Sequence, residues 1–146
     1  MVSGTISEQQ HEAGAARQAY EKALARFPDF SPAKLRLAVL SAAQENFVQK
    51  DYDWALQARV VYPRNSELAK ALGILTYRKG DYPRAASLLK ESSATRDIDP
   101  ELCYYLGLAQ HHLKDPAAKS TLQRALDLNL RPDLAAAARK LLAEIN

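Results

Sequence analysis

The chain has 146 residues, of which 47% are hydrophobic and 25% are charged, and its formal net charge is +3. These proportions are those of a folded soluble domain, and they exclude the intrinsically disordered class. The basic residues are spread along the chain, so we expect no nucleic-acid partner. No apolar run approaches the ~18 residues of a membrane span, and the polar residues 1–10 lack a signal-peptide layout. We therefore expect a soluble chain with no membrane partner. We expect no targeting signal in it, so its cellular compartment is not predicted.

The apolar residues have helical spacing, because they recur three and four positions apart and no segment alternates with a period of two. The sequence therefore predicts an all-α fold of about eight helices, joined by short turns that make neighbours antiparallel. In chain order, the predicted helices cover residues 7–26, 31–44, 47–61 (or 51–61), 66–78, 82–94, 100–113, 116–128 and 132–145.

The predicted helix ends rest on capping residues. Ser7 and Gln10 have the spacing of a capping box, and Ser31 precedes Pro32, a residue that is favoured in the first turn of a helix. Gly80 is suited to the left-handed conformation that closes a helix. The other expected N-caps are Ser66, Asp81, Asp99 and Asp115.

The chain repeats itself about every 34 residues, as when Leu72-Gly73 returns as Leu106-Gly107. Four positions that end successive units are 35, 34 and 33 residues apart, and a small residue lies five positions before each. The end positions are Pro28, Pro63, Asp97 and Leu130, and the small residues are Ala23, Ala58, Ser92 and Ala125. A period of this length in helical segments indicates a solenoid, in which each unit buries its apolar face against its neighbours.

The unit at residues 66–98 carries the fullest version of the pattern. Its characteristic positions are Leu72, Gly73, Tyr77, Gly80, Asp81, Tyr82, Ala85 and Leu89. In this spacing the unit resembles the tetratricopeptide repeat (TPR). It departs from the family's motif at Ala69, which stands in the tryptophan slot, and at Asp97, which stands in the proline slot.

Two further units resemble the family less fully. Residues 100–130 keep the Leu-Gly pair but have Cys103 in the tryptophan slot, and residues 32–65 have Asp51 in place of a small residue. The resemblance implies a right-handed solenoid of helical hairpins. The expected division is a polar segment at 1–10, a half repeat at 11–30, repeats at 31–65, 66–99 and 100–131, and a terminal helix at 132–146.

The resemblance implies a scaffold that binds a protein or peptide, because the first helix of each TPR unit lines the concave face of the solenoid. The residues expected on that face are Arg36, Leu40, Lys70, Ile74, Tyr77, Tyr104, Leu108 and His111. Such a face would suit a partner segment with apolar and acidic residues. In the alternative interpretation, Ile74 and Leu108 pack against adjacent helices and the tyrosines cover ordinary surface.

A second functional hypothesis is self-association, or a structural role within a larger repeat protein. The first helix matches only the second half of a repeat, so its apolar face would lie open to another copy or to an upstream repeat. The residues expected in a contact between two copies are Ala13, Ala16, Tyr20 and Leu24. In the alternative interpretation, this helix folds back on residues 31–45 and serves as its own cap.

We expect no enzymatic activity, no cofactor and no metal site. Cys103 is a lone cysteine in an apolar helical segment, which is typical of a core residue. His111 and His112 are adjacent on a helix and point about 100° apart, so they cannot chelate one ion together. Tyr52 and Trp54 either form an exposed recognition patch or fill the core of the degenerate unit.

Overall fold

The computed structural model describes the backbone of residues 2–44, 46–95 and 99–145, and the side chains of residues 12–44, 46–94 and 99–145. Across the described residues the chain forms eight helices and no strand, which confirms the all-α prediction. The helices are α1 (Val2–Arg26), α2 (Ser31–Ala42), α3 (Gln49–Val61), α4 (Ser66–Lys79), α5 (Tyr82–Thr95), α6 (Pro100–His112), α7 (Ala118–Asp127) and α8 (Pro132–Ile145).

The helices pack as a series of hairpins. The most extensive contacts join α4 to α5, α6 to α7, and α2 to α3, so each pair forms one unit. The first helices of successive units, α2, α4 and α6, also contact one another. The half unit α1 packs on α2, and the terminal α8 packs on α7. In the described part of the chain, no helix combines the length and the apolar character that are needed to cross a membrane.

Close approach of the two helices in a unit depends on the repeated Leu-Gly pair. A Cβ atom placed on Gly73 would lie 2.9 Å from Cγ and Cδ2 of Leu89, and one placed on Gly107 would lie 2.7 Å from the same atoms of Leu122. Both leucines are fully buried. The absence of a side chain at these two glycines therefore lets the leucine of the second helix fill the space between the helices.

Three of the expected helix ends are confirmed in detail. The side chain of Asp99 accepts a hydrogen bond from Leu102 N at 2.6 Å, and Asp81 accepts one from Arg84 N at 3.3 Å. Gly80 closes α4 with φ +100°, a left-handed conformation that glycine adopts without strain.

Four expected N-caps are wrong. Ser7 lies within α1, which begins at Val2, and α7 begins at Ala118 rather than near Asp115. The N-cap of α4 is Asn65, whose Oδ1 accepts from Leu68 N at 2.9 Å, so Ser66 is the first helical residue. Ser31 is likewise the first residue of α2, because Lys34 N bonds to Phe30 O and makes Phe30 the N-cap.

In the degenerate unit, polar and aromatic groups replace the small-residue packing. Asp51 is only 1% exposed and forms an ion pair with Arg17 of α1. Tyr52 is buried, and Trp54 is half-buried against the cluster that contains Leu24 and Leu37. The core-filling interpretation of the Tyr52–Trp54 pair is therefore the correct one.

Candidate partner-binding surface

A groove runs along the surface formed by the first helices α2, α4 and α6. It encloses an open pocket of about 170 Å³, lined by Val39, Ala42, Ala43, Glu67, Lys70, Ala71, Ile74 and Glu101. The pocket exists because three of its lining residues are alanines, whose short side chains leave space between α2 and α4. The floor is apolar, and the charged side chains belong to α4 and α6.

Ion pairs between successive first helices follow this groove. Arg36 Nη1 of α2 lies 3.1 Å from Glu67 Oε1 of α4. Lys70 Nζ of α4 lies 3.1 Å from Asp99 Oδ2 and 3.7 Å from Glu101 Oε1, which belong to the N-terminal end of α6. The two cations that favoured an acidic partner are therefore paired within the chain, and acidic residues in the partner stay a prediction.

The series of ion pairs continues toward the C-terminal helix. Arg131 Nη1 lies 3.9 Å from Glu101 Oε2, and Arg131 Nε lies 3.1 Å from Asp133 Oδ1. Among the described residues, these pairs and those on α2, α4 and α6 bring three cations and four carboxylates to this edge of the groove. The edge therefore presents both signs of charge in alternation.

Two of the residues expected on the exposed face are core residues. Ile74 has 0% exposure, so the alternative interpretation, in which it packs against adjacent helices, is correct for it. Tyr104 has 7% exposure, so it is a core residue, whereas both interpretations expected it at the surface. Ile74 still lines the pocket from below. Leu40 and Leu108 are half-buried, and Leu108 packs on the main core.

Tyr77 and His111 lie at the far end of the first helices, beside an aromatic cluster. The ring of Tyr77 lies 5.4 Å from that of Tyr82 and 5.8 Å from that of Tyr105. His112 stacks on Tyr82 with ring centroids 4.0 Å apart, and its Nε2 lies 3.4 Å from the Tyr77 hydroxyl. His111 is exposed, and its ring lies 6.2 Å from that of His112.

Burial changes the pKa of Tyr77 in this cluster. It raises the pKa of Tyr77 to about 12, because the phenolate is disfavoured away from water and beside neighbouring tyrosines. Tyr77 is therefore a neutral hydroxyl at physiological pH, able to donate or to accept a hydrogen bond.

Helical phase places Arg78 on the same face of α4, but the sequence pattern does not reveal its hydrogen-bond partners. Its Nη1 donates to Ser41 O at 3.0 Å, and its Nη2 donates to Ala42 O at 3.1 Å and to the Tyr105 hydroxyl at 3.2 Å. The two carbonyls belong to the last turn of α2, where a cation is favoured by the helix dipole. Arg78 thus fixes the end of α2 that supplies Ala42 to the pocket.

Among the described residues, no group of three or more metal-ligating side chains lies close enough together to hold an ion. Cys103 is buried, and burial raises the pKa of its thiol, so the sulfur is held in the protonated form.

The residues predicted to take part in self-association differ in how deeply they are buried in the chain itself. Leu24 is 6% exposed and packs on Ala33 and Leu37 of α2, so it belongs to the interior of the chain and the expectation that it contacts another copy is wrong. Tyr20 packs partly against the same cluster. Ala13 and Ala16 are half-buried, and their part in a contact between copies stays a prediction.

Two solved structures are similar to this arrangement of helices. A thermophilic TPR protein of Thermus thermophilus matches with a TM-score of 0.64 and 19% sequence identity, over 92% of this chain and 75% of that one. PilF of Pseudomonas aeruginosa matches with a TM-score of 0.66 and 25% identity, over 97% of this chain, which spans 65% of the length of PilF. The sequence matches no protein-family model and no curated protein. The helical hairpins, their 34-residue period and these two structures together identify the fold as a TPR-like helical repeat.

Proposed function

We propose that the chain is a protein-binding module that holds a segment of a partner protein in the groove between α2, α4 and α6. The observation that carries the proposal is the pocket itself, an apolar depression with charged groups at its edge on the surface of the first helices. Helical-repeat proteins generally use extended surfaces of this kind for protein–protein contact.

The chemistry of the groove favours an apolar anchor in the partner. The apolar lining residues Val39, Ala43, Ala71 and Ile74 offer no hydrogen-bonding side chain, so an aliphatic side chain of the partner would lose water there without leaving a polar group unpaired. The alternating charges at the edge would select the partner by its charge pattern rather than by its net charge.

We also propose that the module acts by binding alone, without catalysis and without a cofactor. The supporting observation is that Arg36 and Lys70, the cations nearest the groove, are held by carboxylates of the chain itself. A catalytic group would need to be available to a substrate, and these groups are engaged in holding adjacent helices together.

The test begins with a peptide selected from a random library for binding to the wild-type chain, with its affinity measured by fluorescence anisotropy. Ala43→Trp would fill the groove at an exposed lining position. The matched control is Ala94→Trp, at an exposed position on the second helix α5. We expect the affinity to fall at least tenfold for Ala43→Trp, about 1.4 kcal/mol, and to stay unchanged for Ala94→Trp.

The opposite result would contradict the proposal. If selected peptides bind Ala43→Trp as tightly as the wild type, the groove is not the binding surface. Circular dichroism of both variants shows whether the helices remain folded, so that a loss of binding reports on the groove rather than on unfolding.

A further inference from the structure

The pocket lies at the junction of α2 and α4, and the next junction, between α4 and α6, carries rings at the equivalent positions. Ala42 is the twelfth residue of α2 and Ala71 is the sixth residue of α4, and both line the pocket. Tyr77 is the twelfth residue of α4 and Tyr105 is the sixth residue of α6, and their ring centroids are 5.8 Å apart. A pair of alanines in one junction thus stands where the other has a pair of tyrosines.

The aliphatic residues beside these positions are alike at the two junctions. The ninth residue of each first helix is aliphatic, and these residues are Val39, Ile74 and Leu108. Val39 and Ile74 line the pocket, and Leu108 packs on the main core. Since both junctions have these aliphatic residues, the space at the junction of α2 and α4 results from the alanine pair.

The size of the space corresponds to one aromatic ring. The pocket has a volume of about 170 Å³. A protein cavity of about 150 Å³ lined by apolar side chains binds benzene. An aliphatic side chain would also lose water in the pocket, but it is smaller than a ring and would leave part of the space without contacts. A phenyl or phenol group therefore fits the pocket better than a leucine side chain.

The charge on the pocket wall also favours a ring. Lys70 lines the pocket, and its ammonium group is held by Asp99 at 3.1 Å. An ammonium group attracts the electron-rich face of an aromatic ring within about 6 Å of the centroid, whereas a saturated side chain offers no such face. The junction of α4 and α6 has the same combination, because the guanidinium carbon of Arg78 lies 5.8 Å from the centroid of the Tyr105 ring.

We propose that the pocket binds the aromatic ring of a phenylalanine or tyrosine in the partner segment, beside the ammonium group of Lys70. The partner's ring supplies at the junction of α2 and α4 what Tyr77 and Tyr105 supply at the next junction. The inference rests on the proposed function of the groove, and it names the residue class that anchors the partner.

Amino-acid derivatives test the pocket without a partner protein. N-acetyl-phenylalanine amide and N-acetyl-leucine amide are titrated into the wild-type chain, which is isotope-labelled at its alanine, valine and isoleucine methyl groups. We expect the phenylalanine derivative to bind about threefold more tightly or better. It should shift the methyl signals around the pocket, which are those of Val39, Ala42, Ala71 and Ile74. Tighter or equal binding of the leucine derivative, or shifts located elsewhere, would overturn the proposal.

A substitution within the chain supplies the missing ring. Ala71→Tyr gives α4 the residue that α6 has at its sixth position, so its ring should fill the pocket and abolish the shifts caused by the phenylalanine derivative. The matched control is Ala94→Tyr, at an exposed position of α5, which should leave them unchanged. If circular dichroism shows that Ala71→Tyr is unfolded, Ala42→Tyr provides the equivalent of Tyr77 instead. Binding that survives in a folded variant would overturn the proposal.

The contribution of Lys70 has its own readout. Lys70→Met keeps the aliphatic part of the side chain and removes the charge. The preference for the phenylalanine derivative over the leucine derivative should fall about two- to fivefold, and the affinity for the leucine derivative should stay the same. An unchanged preference would contradict the placement of the ring beside this ammonium group.

Peptides selected for binding to the wild-type chain separate this inference from the proposed function. We expect their anchor to be phenylalanine or tyrosine, and leucine at that position should weaken binding about threefold or more. Peptides that lose affinity for Ala43→Trp but use an aliphatic anchor would overturn the inference and leave the proposed function intact. Peptides that are indifferent to Ala43→Trp, while the phenylalanine derivative still binds the pocket, would contradict the proposed function and leave the ring site intact.

Discussion

The contact between Gly107 and Leu122 offers a test of how the two helices of a hairpin pack. We expect Gly107→Ala to lower stability in the wild type and to raise it when Leu122 is already alanine. Leu122→Ala removes a fully buried side chain and should destabilise the chain by about 2–5 kcal/mol through the cavity that it leaves. Gly107→Ala alone places a methyl group against Cγ and Cδ2 of Leu122, at 2.7 Å in the unrelaxed structure. Overpacking of this kind costs about 1–3 kcal/mol, against about 1 kcal/mol gained from the higher helix propensity of alanine. The net effect should therefore be a loss of about 0–2 kcal/mol.

The effect of Gly107→Ala should reverse when Leu122 is already alanine. The two closest atoms are then absent, the backbone nitrogen of residue 122 remains at 3.3 Å, and the added methyl group occupies part of the cavity. What remains is the gain in helix propensity, so Gly107→Ala should stabilise the Leu122→Ala variant by about 1 kcal/mol. The coupling energy between the two positions should be about 1–3 kcal/mol.

Urea unfolding followed by far-ultraviolet circular dichroism measures each corner of this cycle. Gly14→Ala in α1 is the control, because a Cβ there would meet nothing within 4 Å and should only stabilise the helix, by about 0.5–1 kcal/mol. If Gly107→Ala has the same effect in both backgrounds, the close approach of α6 and α7 is not what the Leu-Gly pair provides, and the packing argument fails.

Three further predictions concern polar groups. Arg17→Met should destabilise by about 3–5 kcal/mol in urea unfolding, because it leaves the buried Asp51 unpaired, whereas Asp51→Ala should cost about 1 kcal/mol or less. A larger cost for Asp51→Ala would contradict this order. Arg78→Met should lower stability by about 1–2 kcal/mol and speed amide exchange in the last turn of α2, and unchanged exchange there would count against the capping role. The pKa of Tyr77 is raised from 10.0 to about 12, so its stabilising effect is fully present below pH 10 and is lost as the pH rises toward 12. Tyr77→Phe should therefore reduce the fall in stability between pH 10 and 12, and an unchanged profile would contradict this.

The repeat itself could be predicted from the sequence because its determinants are local and periodic. The Leu-Gly pairs and the small residues of the second helices recur at fixed spacing, and these residues fill the interior of each hairpin. Gly80 and Asp99 could be assigned as caps for the same reason, since a cap depends on a few neighbouring residues.

The N-cap residues of α2 and α4 were less predictable than the residues at which these helices begin. Asn65 and Ser66 are both good N-caps, and the choice between them depends on where the chain leaves Pro63 rather than on composition. At Ser31 the side chain bonds back to Asp29 O at 3.4 Å instead of accepting from the helix. In each case the N-cap lies one residue before the expected one, and the helix begins at the predicted residue.

The composition of the groove could be predicted only in part. Helical phase places Lys70, Ile74 and Tyr77 on one side of α4, but a neighbouring first helix covers part of that side, and so Ile74 is fully buried while Tyr77 is only half-buried. The ion pairs of Lys70 and the hydrogen bonds of Arg78 join residues about 30 positions apart. A single sequence carries no signal for such pairs, because either residue would be an ordinary surface charge without its partner.

The most direct test of the account is the location of the bound partner segment. A selected peptide should be titrated into isotope-labelled protein and followed by chemical-shift changes of the backbone amides. We expect the largest changes in residues 36–43 and 67–74 and at the start of α6, which surround the pocket. Changes concentrated instead in α3, α5 and α7 would place binding on the second helices and contradict the central claim.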